Sequence, residues 1–217
     1  MTNALHIVLA SGSPRRRALL ALAGLRFDVV RPEVDESPRP GEDPRAHVQR
    51  LSVTKAAEVA ARVAPGTLVI AADTIVVHAG EILGKPVTPE AATRTLRRLR
   101  GDVHQVHTAL AAQRDDWRAA EVVTTGVRMR AYTDAEIAAY VASGDPMDKA
   151  GAYAIQNTAF NLVAGLEGCY ANVMGFPLCR LERLLEPLGV ALPGLPESCR
   201  QADGAACGIY QIVLSAG

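Results

Sequence analysis

The stretch from His6 to Arg17, HIVLASGSPRRR, leaves few folds open. Its apolar start, His6 to Ala10, reads as a strand. Ser13 is a good N-cap and Pro14 suits the first helical position, so the chain leaves a strand and enters a helix almost at once. That junction is the building unit of α/β proteins. Arg15, Arg16 and Arg17 then crowd the first helical turn, where the positive end of the helix dipole disfavours cations. A bound anion resolves the conflict: a polyphosphate would satisfy exposed N–H groups, serine hydroxyls and guanidinium forks together. The plainer alternative is a solvated basic face.

The rest of the chain alternates between the two periodicities. Gly24 closes the first helix near Ala23, and Phe27 to Val30 forms a second strand leading into an acidic, proline-rich loop through Pro40. Asp43-Pro44 starts a long helix with Val48, Leu51, Val59 and Val63 on or near one face. Leu68 to Ala72 is an apolar strand, followed by a hairpin of Thr74 to Val77 and Glu81 to Leu83. Thr88-Pro89 caps a helix ending before Gly101. Two β segments, near 103–113 and 119–130, meet at the turn Arg114-Asp115-Asp116. Thr133 and Glu136 match a capping box for a helix ending at Gly144. Phe160 to Val163 returns to β, and Gly175-Phe176-Pro177 opens a last amphipathic helix. Periodicity fades from Leu192. These elements predict a mixed central sheet flanked by helices, with two lobes around a deep cleft. Residues 1–190 form the domain and 191–217 a loosely held tail.

Composition narrows the classes. No segment approaches the roughly 18 unbroken apolar residues of a membrane span. The start carries no basic leader, so its apolar run is a strand rather than a signal sequence. Cys169, Cys179, Cys199 and Cys207 have neither CxxC spacing nor the density of a disulfide scaffold, which points to a reducing cytoplasm. Acidic and basic residues balance at 23 each, so no generic nucleic-acid partner is expected.

Local charge says more. Asp73 interrupts the apolar run from Leu68 to Val77, and a carboxylate at the end of a buried strand must be paired, hydrogen-bonded or metal-bound. Glu33, Asp35 and Glu36 are candidate partners; spacing alone does not choose among them. Oxygen-only ligands suit magnesium or manganese bridging to phosphate. Lys85 lies between Gly84 and Pro86, Lys55 within the long helix, and Lys149 before the Ala150-Gly151 turn; each alone reads as an ordinary surface lysine. Gln156 could read a base edge or satisfy backbone. His104 and His107 face opposite ways along a strand and make no zinc site; HExxH, GxSxG and the P-loop pattern are absent. Cys179 reads as core.

In order along the chain, LASGSPRR at 9–16, AADTIV at 71–76, GKP at 84–86, YVASGDPMDKAGAYAIQ at 140–156 and NVMGFPL at 172–178 resemble the Maf family of nucleotide pyrophosphatases. The resemblance implies hydrolysis of a nucleoside triphosphate between its α and β phosphates, in a deep cleft of a mixed α/β fold, by a homodimer. It implies that Ser11, Ser13, Arg15 and Arg16 hold phosphates, that Lys55 and Lys85 neutralise phosphate charge, and that Asp73 is the catalytic carboxylate. It selects Glu36 as the acidic partner at a divalent metal. Arg15, Lys85 and Gln156 look like the branch acting on dTTP and UTP, with modified pyrimidine nucleotides in reach. The family's association with septum formation comes with it. Cys169, in the 165–168 turn region, stands where a polar residue is usual, and the tail has no counterpart in the pattern. Three rival readings remain: a non-catalytic binder of nucleotide or nucleic acid regulating septum formation, an inosine- or xanthosine-triphosphate pyrophosphatase, and a 7-methyl-GTP pyrophosphatase.

Overall fold

The computed structural model describes residues 5–195. Its elements are β1 (Ile7–Ala10), α1 (Pro14–Leu22), β2 (Asp28–Val30), α2 (Pro44–Ala60), β3 (Leu68–His78), β4 (Glu81–Leu83), α3 (Pro89–Leu99), β5 (Val103–Arg114), β6 (Trp117–Met129), α4 (Asp134–Ala142), β7 (Val163–Glu167), α5 (Tyr170–Val173) and α6 (Leu178–Leu185). Short 3-10 turns at Asp145–Asp148, Ala150–Ala152 and Glu186–Leu188 complete them.

The seven strands form one sheet in the order β2-β1-β3-β5-β6-β7, with β4 also on β3. β1 runs parallel to β2 and β3, and every other pairing is antiparallel. The expected mixed sheet is therefore present. Strand alternation sends Val8, Ala10, Val69, Ala71, Ile75 and Val77 to the face covered by α2, whose Val48, Ala56 and Val59 are buried against it. The opposite face carries two cores. Leu9, Ile70 and Leu110 pack with α1 and α6 at one end, around Phe176. Val76, Val106 and Val127 pack with α3, α4, Tyr140 and Tyr153 at the other.

The helix starts follow their sequence signals. Ser13, Asp43, Thr88 and Thr133 each accept backbone N–H bonds as N-caps, and the Thr133–Glu136 capping box is complete.

Three expectations need correction. β3 does not end before Asp73 but continues unbroken to His78. The strand placed at Phe160–Val163 lies instead at Val163–Glu167, because Asn161 adopts a positive φ of 42° that no strand tolerates. Gly165 to Glu167 is thus strand rather than turn, and Cys169 stands at the N-terminus of α5. Leu192 and Leu195, assigned to a loose tail, are buried in the α1–α6 core, and Gly194 lies against the end of α1. Residues 196–217 lie outside the described residues.

Candidate active site

The cleft arises from a change of partner along one strand edge. On one side, β3 pairs with β5 from Val69 to Val77 without interruption. On the other, β1 pairs only through Ala71 and β4 begins only at Val76. Between them the edge of β3 at Ala72 to Ile75 has no neighbouring strand, and buried backbone groups there need other partners. Arg16 supplies one: its Nη1 donates to the carbonyl of Ala72 at 2.6 Å. A cleft of about 700 Å³ opens over this break, lined from both cores and from α2.

Asp73 sits in the break with 6% of its surface exposed. Its Oδ1 accepts a hydrogen bond from Lys55 Nζ at 2.6 Å, and the same ammonium lies 2.6 Å from Glu36 Oε1. Lys55 is buried and projects from α2; Glu36 comes from the loop between β2 and α2 and is largely exposed. Burial works against ionisation of Glu36, yet the hydrogen bond and charge of Lys55, helped by Lys85 and Arg16, hold its pKa below the ordinary value. Of the three acidic candidates, Glu36 alone joins Asp73. Asp35 caps the N–H of Ser37, and the backbone of Glu33 bonds to Glu58.

The opposite wall is the strand-to-helix junction. Ser11 is buried, its Oγ accepting the N–H of Ser13 at 3.2 Å. Arg16 folds inward: Nη2 donates to Thr74 Oγ1 and Nε to the carbonyl of Gly175, both at 3.0 Å. Three of its five N–H donors are thus committed to protein. Burial lowers its pKa, opposed by the charges of Asp73 and Glu36. Gly175 is required here: its φ is 96°, and a Cβ would stand 3.0 Å from Thr74 Oγ1. Thr74 in turn bonds Thr108, which donates to the carbonyl of Asn172, while Asn172 ties α5 to Val106 and Thr125. Arg15 points elsewhere, with Nη1 3.3 Å from Asp148 Oδ2.

The far wall comes from the segment 145–157. Lys149 donates to Asp148 Oδ1 and to the Asp145 carbonyl, each at 2.6 Å, and Asp145 also receives Tyr140 Oη and Asn157 Nδ2. Tyr153 lines the cleft with its hydroxyl 2.8 Å from His104 Nε2. Burial pushes the His104 pKa down to about 4, so the ring is neutral at ordinary pH. Lys85 and Gln156 also line this wall.

Every residue proposed from the sequence therefore lines one cleft: Ser11, Ser13, Arg15, Arg16, Glu36, Lys55, Asp73, Lys85 and Gln156. Lys55 and Lys149, each read from its own surroundings in sequence as a surface lysine, are both buried. His47, Asp148 and Tyr153 were not singled out; the dense polar run GDPMDKAG was the available signal for Asp148. His104 and His107 do face opposite ways, towards Tyr153 and Thr124 respectively.

Fold and site together define an α/β protein whose cleft, at a break in a mixed sheet, sets arginines and lysines facing a carboxylate pair. The chain belongs to the Maf-like protein family, whose family model matches residues 6–188. It is 49% identical over 186 residues to a dTTP/UTP pyrophosphatase of Geobacter sulfurreducens, covering 85% of this chain and 97% of that one. The corresponding enzyme of Myxococcus xanthus is 48% identical over 189 residues, covering 86% and 94%. That of an Anaeromyxobacter species is 45% identical over 208 residues, covering 93% and 99%. A solved nucleoside-triphosphatase / dITP/XTP pyrophosphatase from Mycobacterium abscessus shares 16% identity at a TM-score of 0.41, over 58% of this chain and 75% of that one, too slight a likeness to bear on the site.

Proposed function

We propose that this protein hydrolyses dTTP and UTP to the nucleoside monophosphate and pyrophosphate. One observation carries the reading: a single buried ammonium bridges Asp73 and Glu36, directly across a break in the sheet from the Ser11–Arg16 junction. Relatives carrying the dTTP/UTP pyrophosphatase name match nearly their whole length.

In this reading water attacks phosphorus at the α–β anhydride. A phosphorus–oxygen bond forms, the bridging bond breaks, and Asp73 takes the proton that the attacking water loses. Lys55, Lys85, Arg15 and the uncommitted N–H groups of Arg16 neutralise the polyphosphate, where positioned positive charge does most of the catalysis. The Ser11 and Ser13 hydroxyls give further hydrogen bonds. The carboxylates of Glu36 and Asp73 meet at the Lys55 ammonium; the oxygens they do not give to it are hard donors, of the kind that magnesium or manganese takes. These two residues would hold such a cation, since magnesium usually takes only one or two protein carboxylates. Such a cation supplies charge neutralisation and polarises phosphoryl oxygens. Gln156, able to donate and accept, would read the uracil or thymine edge, with Lys85 and Arg15 as the other base-recognition residues of the same cleft. No described helix is long and apolar enough to cross a membrane. The working form is a cytoplasmic homodimer, which sedimentation of the purified protein tests.

The primary test is pyrophosphate release from dTTP, UTP, CTP, GTP, ITP and 7-methyl-GTP with magnesium or manganese. Turnover of dTTP and UTP is expected. Purine-only turnover overturns the pyrimidine assignment, and binding without any turnover overturns catalysis.

A further inference from the structure

Glu36 stands on a stretch between β2 and α2 that has no secondary structure of its own, and a loop-borne ligand is only as good as whatever holds the loop. That support is visible. From α2, Arg50 donates Nε to Glu42 Oε1 at 2.6 Å and Nη2 to Glu42 Oε2 at 2.7 Å, a two-pronged contact. The same Nη2 donates to the carbonyl of Ser37, the residue after Glu36, at 3.2 Å. Glu42 Oε2 also accepts the backbone N–H of Arg39 at 3.2 Å and pairs with His47 Nδ1 at 2.9 Å. The Arg50 hydrogen bonds lead in holding the Glu42 carboxyl far below the ordinary carboxylate range. One arginine thus binds the loop next to Glu36 and again at Glu42, from the helix that also carries Lys55.

We propose that Arg50 and Glu42 are positioning residues for Glu36, fixing its carboxylate beside Asp73 so that the pair presents one cation site. This deepens the functional reading above and rests on Glu36 as a metal ligand. The physical argument is geometric. Lys55 alone holds Glu36 by a single contact to an exposed side chain, whereas Arg50 fixes the backbone on which that side chain turns. Support behind a ligating carboxylate is typically worth about 10- to 100-fold in metal affinity.

The test combines Mn²⁺ binding to the nucleotide-free protein, read by electron paramagnetic resonance, with steady-state turnover of dTTP. Arg50→Met is expected to weaken Mn²⁺ binding about tenfold and to raise the Mn²⁺ needed for half-maximal rate equally, with kcat at saturating Mn²⁺ within about twofold of the parent. In a Glu36→Gln background, adding Arg50→Met should cost nothing further in kcat/KM. An equal loss in both backgrounds overturns the proposal, since Arg50 would then act elsewhere. Should Glu36→Gln weaken Mn²⁺ binding while Arg50→Met does not, the positioning role falls and the ligand assignment stands. Should Glu36→Gln itself leave Mn²⁺ binding unchanged, the ligand assignment falls and the proposal with it. Thermal melting checks each variant's fold. If Arg50→Met does not fold, Arg50→Lys and Glu42→Gln, which keep bulk but lose the two-pronged contact, must show the same pattern at smaller size.

Discussion

At the scale of single residues, the Lys55 ammonium is the pivot, because it is the cation that makes a buried Asp73 and a neighbouring Glu36 compatible. Lys55→Met would leave Asp73 buried without its charge partner. Removing one side of such a pair costs about 3 kcal/mol or more. Urea unfolding should show that loss, and an unchanged unfolding midpoint would mean that Asp73 does not depend on the ammonium. Asp73→Asn asks a different question. It removes the proton acceptor, so turnover should fall by about 10²-fold or more. Calorimetric nucleotide affinity should hold or improve, since a carboxylate near a triphosphate repels it. Normal turnover in the Asp73→Asn variant would displace Asp73 from its role. The importance of Asp73 was legible in the chain, as a lone carboxylate in an apolar run. Its location was not, because whether a strand ends or continues at a carboxylate depends on what pairs with its two edges.

At the scale of elements, β5 carries two histidines on opposite faces, and burial is the main cause lowering the pKa of both. For His104 the charge of His78 adds to burial and Asp102 opposes it, leaving a folded-state pKa of about 4 against an ordinary 6.5. Between those values the unfolded chain binds a proton that the folded chain does not. The stability His104 contributes is therefore complete above pH 6.5 and declines as pH falls towards 4. Urea unfolding at pH 7, 6 and 5 should show this decline. His104→Gln, which can still accept from Tyr153, should make the dependence shallower, and an unchanged slope would rule His104 out as its source. The helices were the most legible elements, since their caps are local chemistry that a few residues decide. The β7 segment was the least: Val163 to Glu167, with its glycine, has weak strand propensity and becomes a strand only by pairing with β6.

At the scale of the whole molecule, the cleft is bridged at its mouth by Arg15 from α1 and Asp148 from the 145–148 turn, residues 133 apart in sequence. Asp148 is two-thirds exposed, so the pair adds little stability, on the order of 1 kcal/mol at most. It does give Arg15 an anionic partner in the place where a phosphate would compete. Asp148→Asn should therefore leave the melting temperature within a degree or two and lower KM for dTTP about two- to tenfold, as both repulsion and competition are removed. A raised KM would show instead that Asp148 orders Lys149 for substrate.

The chain by itself determined the order and kind of most elements, the helix caps, the mixed character of the sheet and the importance of Asp73, while the other charged residues of the cleft came from the family resemblance. The first group depends on periodicity, on capping chemistry or on the cost of burying a charge, all of them local. Only the tertiary structure decided that Glu36 meets Asp73 through one Lys55 ammonium, that Arg16 spends three donors on protein, that Lys149 is buried, and that the polypeptide stays packed through Leu195. The place that Arg16 fills follows from one long-range event, the handover of the β3 edge from β1 to β4. No window of sequence contains that handover, because it is made by strands that meet only when the sheet is assembled.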